Sequence, residues 1–337
     1  MIDVLISGGG PAGLATAIHA ALAGMEAVVV EPRPGPVDKA CGEGLMPSGA
    51  AALWSLGVPV QGRALRGIRY LDGRRQAQAP FRAGHGLGVR RTALHAALSR
   101  RAAEVGVKVL CGRVDGVRQD DHTVEAGGLR ARWLVAADGL HSPLRALLGL
   151  ELPDRRPRRY GLRQHYPVVP WTDFVEVHWA ADGEAYVTPV GENLVGVAVL
   201  SSRRRGYREH LTDFPALTAR LEGPAATPVR GAGPLRRRVR SRVAGRVLLV
   251  GDAAGYIDAL TGEGVSLALL SAEALVRCLR ADAPHSYESA WLRLSRRHRL
   301  LTGALLEARR HRTSARLIVP AAHRMPALFG AAVHALA

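Results

Sequence analysis

The sequence predicts an α/β fold with a parallel, doubly wound sheet, an inserted antiparallel β-sheet domain and C-terminal helices. Three observations lead to this prediction. At the amino terminus, an apolar strand runs into a glycine-rich turn and a helix. Two later apolar strands, 133–137 and 247–250, end in Asp-Gly and Gly-Asp. Between them, residues 159–200 form short strand-like runs punctuated by glycine, without a helical period.

Length and composition indicate a globular chain of about two domains. Its 337 residues are 47% hydrophobic and 22% charged, and the excess of basic side chains gives a net charge of +17. Only Lys39 and Lys108 are lysines, so nearly all of this charge is arginine, spread along the sequence. Because no helix-turn-helix, zinc or RNP-like pattern accompanies it, a nucleic-acid-binding protein is only a remote alternative.

The cysteines and the apolar segments limit the cellular context. Cys41, Cys111 and Cys278 are odd in number and far apart, which gives neither a disulfide framework nor a metal site. No apolar run reaches the roughly 18 residues that a membrane span needs, and the amino terminus leads into a strand without a basic leader. We therefore expect a cytoplasmic protein with no metal.

The first 31 residues follow the order of a dinucleotide-binding unit. The apolar run Ile2–Ser7 predicts a buried strand, and the motif G-x-G-x-x-G follows over residues 8–13. A helical apolar pattern begins at Leu14, and a second strand, 27–30, leads to Glu31. Since all of these parts arrive in order, the sequence predicts a Rossmann-like domain with a bound dinucleotide rather than an empty glycine-rich loop.

Each part of this unit has a physical role. Gly8 permits the tight turn, Gly10 lets the backbone approach a pyrophosphate, and Gly13 lets helix and strand pack closely. The N–H groups and the positive dipole at the helix start hold the phosphates. An acid at Glu31 accepts ribose hydroxyls and repels a 2′-phosphate, which favours FAD or NAD over NADP. The predicted phosphate-binding residues are Gly8, Gly10, Pro11, Ala12 and Gly13.

Two later strands decide which dinucleotide is bound. The strand that ends in Asp138-Gly139 leads into a helix opened by Ser142. The strand that ends in Gly251-Asp252 is followed by a loop and by a long helix from Val265 to about Arg280. With the glycine motif and Glu31, these segments resemble the flavoprotein superfamily of aromatic hydroxylases and geranylgeranyl reductases.

The resemblance covers residues 1–50, 85–150 and 245–280 well, and the segment 150–240 only in outline. Within the superfamily, residues 38–45 and 251–264 are similar to the geranylgeranyl-reductase branch. The resemblance implies a glutathione-reductase-type FAD-binding domain. Only one dinucleotide fingerprint is present, so NAD(P)H is expected to dock transiently as the reductant.

The resemblance also implies roles for single residues. Asp252 resembles the aspartate that binds the ribityl hydroxyls, and Gly264 and Val265 resemble the turn and helix start beneath the flavin pyrimidine. Arg91, in the pattern R-x-x-L-x-x-x-L, would contact the FAD phosphate or ribityl region, and Val114 would contact adenine. The further FAD contacts implied in this way are Asp138, Gly139, Gly251, Gly262 and Glu263.

The predicted domains are discontinuous. The FAD-binding domain is expected over residues 1–62, 84–148 and 245–282, and the substrate-binding β-sheet domain over 63–83 and 149–244. Residues 283–337 form a helical, arginine-rich C-terminal region, interrupted by Pro320 and Pro326. A basic amphipathic helix there could touch an anionic membrane weakly, but a solvated outer face is the more common outcome.

Three side chains are candidates for the catalytic site. Cys41 would lie near the flavin, although a small buried hydrophobe is the alternative interpretation. Tyr186 lies in an aromatic-x-x-Pro segment that resembles the one lining the family's substrate pocket. His165 could face the substrate, but a histidine on such a strand is more often structural.

The function predicted first is an NAD(P)H-dependent FAD monooxygenase. It would hydroxylate an aromatic or polyketide-type small molecule through a flavin C4a-hydroperoxide. The alternative is a flavin-dependent prenyl reductase of the geranylgeranyl type, which reduces a C=C bond. The sparse aromatics of 160–200 and the short C-terminal region speak against a long prenyl tunnel. Because the sequence lacks Trp-x-Trp-x-Ile-Pro, flavin-dependent halogenation is disfavoured.

Overall fold

The structure, a computed structural model, describes residues 1–336 apart from the side chain of residue 312. It alternates strands and helices in the first third, continues with strands, and ends in helices. The strands are β1 (Ile2–Ser7), β2 (Ala27–Glu31), β3 (Gly44–Leu45), β4 (Arg63–Leu65), β5 (Gly67–Leu71), β6 (Gln76–Pro80), β7 (Gly86–Gly88), β8 (Lys108–Cys111), β9 (Val117–Gln119), β10 (Val124–Ala126), β11 (Leu129–Ala136), β12 (Glu151–Leu152), β13 (Tyr160–Tyr166), β14 (Phe174–Trp179), β15 (Gly183–Gly191), β16 (Leu194–Ser201), β17 (Arg230–Ala232), β18 (Arg238–Val239), β19 (Val243–Ala244) and β20 (Val247–Leu249).

Most of the helices follow strands of the first sheet or form the C-terminal region. The helices are α1 (Pro11–Leu22), α2 (Pro47–Ser55), α3 (Arg91–Glu104), α4 (Pro143–Leu147), α5 (Tyr207–Leu211), α6 (Pro215–Thr218), α7 (Gly264–Arg280), α8 (Ser286–Arg310), α9 (Arg312–Arg324) and α10 (Pro326–Leu336). A single 3₁₀ turn, Gly251–Ala254, follows β20.

The first sheet has eight strands, and its main path runs β19-β20-β11-β1-β2-β8. Strands β8, β2, β1, β11 and β20 are mutually parallel, and they place their carboxyl ends along one edge. Most side chains of the four inner strands, β2, β1, β11 and β20, are apolar and buried because helices cover the sheet, as in doubly wound folds, whereas the edge strand β8 is exposed. The predicted α/β fold class is therefore confirmed, and β1 has the bounds that the sequence predicts.

The second sheet has seven strands in the order β17-β13-β16-β15-β14-β5-β6. All of its pairs are antiparallel except β14 with β5. The β5–β6 pair is the hairpin that Asp72-Gly73 predicts, and the Asp72 carboxylate accepts the N–H groups of Arg74 and Arg75 at 2.9 and 2.7 Å. This sheet thus joins the strands of 67–80 to those of 160–232.

The C-terminal helices pack on the β5–β6 edge of the second sheet. The expected interruption at Pro320 is wrong, because this residue lies inside α9. The one at Pro326 is confirmed, because α10 begins there, and a further break lies at His311. Packing of α9 against β5, β6 and α8 outweighs the roughly 3 kcal/mol that an internal proline costs. No helix in the described part of the chain is long and apolar enough to span a bilayer.

Candidate functional site

The glycine turn after β1 has the close packing that a dinucleotide-binding unit requires. Gly8 has a φ of +107°, and a Cβ there would lie 2.5 Å from the carbonyl oxygen of Ala137. A Cβ on Gly13 would overlap the Gly8 carbonyl oxygen. Gly10 precedes α1 in an extended conformation, and no side chain caps the helix. The free N–H groups of α1 therefore point into the turn, where an anion can accept them.

Glu31 lies directly against this turn at the end of β2. One carboxylate oxygen accepts the N–H of Gly9 at 2.7 Å, and the other accepts the Arg33 Nε–H at 2.7 Å. Burial alone would raise the pKa of Glu31, but the hydrogen bonds from Arg33 and Gly9 outweigh it and lower the pKa. Glu31 is therefore ionised at neutral pH. A carboxylate offers about four acceptor positions, so it retains capacity for ribose hydroxyls.

Arg91 stands at the first position of α3 and reaches toward the same turn. Its Nη2 atom lies 3.9 Å from where a Cβ of Gly10 would be, and its Nε is buried without a hydrogen-bond partner. A buried donor of this kind normally has a partner. A phosphate oxygen would satisfy it, so the residues present fit the dinucleotide that the sequence predicts.

A second orphaned polar atom belongs to Asp138, after β11. Its Oδ2 accepts the Leu144 N–H at 3.1 Å, whereas its Oδ1 is buried without a partner. Burial raises the pKa of Asp138 and also that of Asp252, although Arg91 and Lys39 oppose the rise at Asp252. Both carboxyl groups line the edge where the parallel strands end, and both have room for hydroxyl donors.

Arg145 is a functional residue that sequence reasoning missed. It is 1% exposed and donates to the carbonyl oxygens of Leu140, Asp252 and Ala253 at 2.9, 3.4 and 3.3 Å. It therefore ties the turn that carries Asp252 to the segment after Asp138. The predicted cap at Ser142 is present and accepts the Arg145 N–H at 3.0 Å. The abundance of arginine in this chain hid the signal.

Lys39 was missed as a single residue, although it lies in the segment 38–45 that carries part of the resemblance. Its Nζ lies 3.4 Å from where a Cβ of Gly139 would be. Burial, with the nearby charges of Arg33 and Arg91, lowers the pKa of Lys39, while Asp252 and Glu31 oppose this. Three cationic side chains thus surround the predicted phosphate position.

The loop before α7 is fastened to the second sheet by buried polar contacts. Arg159, the residue before β13 of that sheet, pairs with Asp258 at 3.0 Å and with Glu184 at 2.8 Å. The Tyr186 hydroxyl donates to the Leu260 carbonyl oxygen at 2.8 Å, and burial raises its pKa well above the usual range. Tyr186 therefore holds the loop that leads to Gly262 and Gly264, and its hydroxyl proton is engaged.

His165 lies in a sealed polar cluster on β13. It is fully buried, with Nε2 2.5 Å from a Glu43 carboxylate oxygen and Nδ1 3.0 Å from the Thr227 hydroxyl. The other Glu43 oxygen accepts the Arg91 N–H at 2.8 Å. Since both ring nitrogens contact protein groups, the geometry gives His165 a role in linking the sheet to α3 and not in meeting a substrate.

Cys41 lies in the loop that Glu43 anchors. Its Sγ accepts the Glu43 N–H at 3.4 Å, and burial raises the pKa of the thiol. The positive charge of Arg91 lowers the pKa of this thiol and the negative charge of Glu43 raises it, but burial has the larger effect. Cys41 is therefore a protonated thiol in the loop between β2 and β3.

The structure brings the predicted cofactor residues to one edge. Val114 is buried three residues after Cys111, whose backbone is in register with Glu31. It thus lies on the Glu31 side, as an adenine contact would require. Gly262 has a φ of +71°, and Glu263 precedes α7, whose N-terminus no side chain caps. The individual contacts to FAD stay predictions.

Curated relatives carry two kinds of name. A menaquinone reductase of Mycolicibacterium smegmatis is 28% identical over 344 residues, covering 88% of this chain and 80% of that protein. The digeranylgeranylglycerophospholipid reductase 1 of Methanopyrus kandleri is 30% identical, covering 80% and 77%. A para-nitrophenol 4-monooxygenase of a Pseudomonas species is 29% identical, covering 82% and 77%. The relatives thus include reductases and a monooxygenase.

Solved structures confirm the fold, and the family follows from the sequence. The flavin-dependent brominase Bmp2 has a TM-score of 0.83 at 18% identity, covering 99% of this chain and 93% of that chain. The flavin-dependent halogenase CmlS has a TM-score of 0.80 at 22% identity, and this chain spans 64% of its length. At such identities the likeness concerns the fold alone. The FAD binding domain family matches residues 1–283, and the chain therefore belongs to this family of FAD-dependent oxidoreductases.

Proposed function

We propose that the protein is an NAD(P)H-dependent FAD monooxygenase that hydroxylates a compact aromatic or polyketide-type small molecule. The observation that carries the proposal is an aromatic layer on the second sheet that the C-terminal helices cover. In it, the Tyr70 ring lies 5.2 Å from Trp179 and 4.7 Å from Phe329 on α10. The layer continues through Tyr186 and Leu260 to the loop before α7.

This layer suits the surroundings of an aromatic ring more than those of a long chain. Aromatic side chains favour stacked or edge-on contacts with a flat substrate. Val319, Phe329 and Val333 of α9 and α10 are buried in the layer, so these helices cover it where they pack on β5 and β6. Exclusion of water also protects reactive intermediates of an oxygenation from hydrolysis.

Bound FAD would supply the redox chemistry: it takes a hydride from NAD(P)H and activates O₂. The chain's own residues have other tasks. The glycine turn, Glu31 and Arg91 bind the adenosine and phosphate part, and Asp252 binds the ribityl hydroxyls. The uncapped N-terminus of α7 stabilises negative charge at the pyrimidine edge. Lys39 and Arg33 add positive charge at the phosphates.

Oxygen uptake tests this proposal. Purified protein with FAD should oxidise NAD(P)H faster when a phenolic compound is added, and it should consume O₂ in step. With ¹⁸O₂, the product should carry one labelled oxygen atom. A panel of phenols and resorcinols that never accelerates NAD(P)H oxidation, together with O₂-independent turnover of another substrate, would overturn it.

A prenyl C=C reductase is the second candidate, and Cys41 favours it. Reduction of a C=C bond needs a hydride at one carbon and a proton at the other. The raised pKa keeps the Cys41 thiol protonated at neutral pH, beside the site. The relatives named as reductases of menaquinone and of digeranylgeranylglycerophospholipid agree with this alternative. Anaerobic reoxidation of the reduced enzyme by a prenyl substrate, with loss of one C=C bond, would establish it.

We infer that the protein acts in the cytoplasm and that NAD(P)H docks transiently. The glycine turn after β1 would bind one dinucleotide, FAD, permanently. NAD(P)H would therefore bind only while it reduces the flavin. Rapid mixing of oxidised enzyme with NADH or NADPH under anaerobic conditions, followed at the flavin absorption band, measures which of the two reduces it.

A further inference from the structure

Four polar side chains meet between the loop before α7 and the middle of α8. The His298 Nδ1 atom lies 2.7 Å from Glu263 Oε2, 3.1 Å from the Thr261 hydroxyl and 3.3 Å from the Thr302 hydroxyl. The two threonine hydroxyls are 2.9 Å apart. The His298 and Glu263 side chains are only 6% and 13% exposed. We call these four residues the Glu263–His298 cluster.

The chemistry of the donors fixes one proton in this cluster. An ionised carboxylate only accepts hydrogen bonds, so His298 Nδ1 carries a hydrogen and donates it to Glu263. His298 also lines a cavity of about 260 Å³, together with Tyr256, Trp291 and Arg299. The His298 ring therefore contacts both this cavity and the Glu263 carboxylate.

The position of Glu263 makes this contact consequential. Glu263 is the residue that precedes α7, yet its carboxylate makes no capping hydrogen bond to the helix. The N-terminus of a helix carries about half a positive charge. If the Glu263 carboxylate were free to turn toward this N-terminus, it would cancel that charge. The hydrogen bond with His298 keeps the carboxylate from doing so.

We propose that His298 is a positioning residue that holds Glu263 away from the N-terminus of α7 and so raises the reduction potential of the bound flavin. The inference rests on the proposed FAD site, in which Gly264 and Val265 would hold the pyrimidine edge of the flavin. Reduction adds negative charge at that edge. Without His298, the released carboxylate would oppose this added charge.

Midpoint potentials of FAD-loaded variants test the proposal without any substrate. In His298→Ala, the midpoint potential should become more negative by about 30 mV. For a two-electron reduction, this corresponds to a roughly tenfold smaller equilibrium constant for reduction of the flavin. His298→Asn keeps an N–H donor close to the Nδ1 position and should retain most of the potential of the unmodified protein. Glu263→Gln should raise the potential.

The double variant separates charge from structure. In the Glu263→Gln background, His298→Ala should no longer lower the potential, because no carboxylate charge remains to be released. His311→Ala, at an exposed histidine that ends α8, is the matched control and should leave the potential unchanged. An equal drop in both backgrounds, or no drop in His298→Ala, would overturn the proposal.

The outcome is distinguishable from failure of the proposed function. FAD binding is measured first, by absorbance and by equilibrium dialysis, and protein that stays colourless would refute the cofactor assignment itself. If His298→Ala does not fold, His298→Asn and Glu263→Gln still decide the matter. His298→Asn should keep the potential and Glu263→Gln should raise it, and an unchanged or lowered potential in Glu263→Gln would overturn the proposal. None of these readouts depends on whether the enzyme hydroxylates or reduces its substrate.

Discussion

At the scale of the residue, burial and a few hydrogen bonds set what each carboxylate of the site does. Glu31 receives the Gly9 N–H and the Arg33 guanidinium, and its pKa falls in spite of burial. At Asp138 and Asp252, burial outweighs the opposing hydrogen bonds and positive charges, and the pKa of each rises. The pKa values of carboxyl groups at one sheet edge are therefore shifted in opposite directions. This suits an ionised Glu31 that accepts ribose hydroxyls, next to two aspartates that contact uncharged hydroxyls.

Glu31→Gln should weaken FAD binding by about ten- to a hundredfold, because a charge-assisted hydrogen bond contributes about 1.5–3 kcal/mol. Affinity for FMN, which lacks the adenosine, should not change. Isothermal titration with both flavins measures the difference. An equal loss of FMN affinity would show that the substitution disturbs the site as a whole.

The same variant should also differ from the unmodified protein in how its free energy of unfolding depends on pH, measured without added flavin. Because the pKa of Glu31 is lower in the folded than in the unfolded chain, its contribution to stability is present near neutral pH. That contribution is lost as the pH falls below about 4.5 and through the folded-state pKa. The free energy of unfolding of the unmodified protein should therefore fall more steeply with acid than that of Glu31→Gln.

At the scale of the element, the site depends on how short segments are tied together. The turn after β20 is held by the guanidinium of Arg145, which comes from the segment after β11. The loop before α7 is held by Tyr186 and by the Arg159 ion pairs from the second sheet. These contacts connect each segment to a distant part of the chain.

Arg145→Met should destabilise the protein by about 2–4 kcal/mol, since it leaves the Ala253 carbonyl oxygen without a donor and removes one of two donors from the carbonyl oxygens of Leu140 and Asp252. It should also lower FAD affinity, because the Asp252 turn loses its clamp. Urea unfolding and FAD titration measure the two effects. Arg132→Gln is the matched control, because this partly exposed arginine pairs only with exposed Asp282, and its effect should stay below about 0.5 kcal/mol.

At the scale of the whole molecule, two sheets and the C-terminal helices enclose the site from different sides. The parallel sheet supplies the edge with the glycine turn, and the second sheet supplies the aromatic layer. Helices α9 and α10 cover that layer at the β5–β6 edge. Many arginines lie in ion pairs between these parts, such as Arg163 with Asp38 and Arg242 with Glu288. Much of the positive charge therefore lies in ion pairs that connect different segments of the fold.

Phe329→Ala tests whether α10 closes the aromatic layer. The ring is 8% exposed and packs on Tyr70, so its removal should cost about 3–5 kcal/mol in the free energy of unfolding. Leu328→Ala, at the neighbouring residue with 63% exposure, should cost less than about 0.5 kcal/mol. Similar effects for both variants in urea unfolding would contradict the closed layer.

The sequence by itself determined the parallel sheet, the glycine turn, the helix starts and the family, because these depend on local patterns of apolar residues, glycine and acids. It did not reveal Lys39, Arg145 or His298 as parts of the site, nor the contacts that engage Tyr186 and His165. These roles arise from pairs such as Tyr186 with Leu260 and His165 with Glu43, which lie 74 and 122 residues apart. Only the packing of the two sheets and α8 brings such groups within hydrogen-bond distance, and no local spacing encodes that approach.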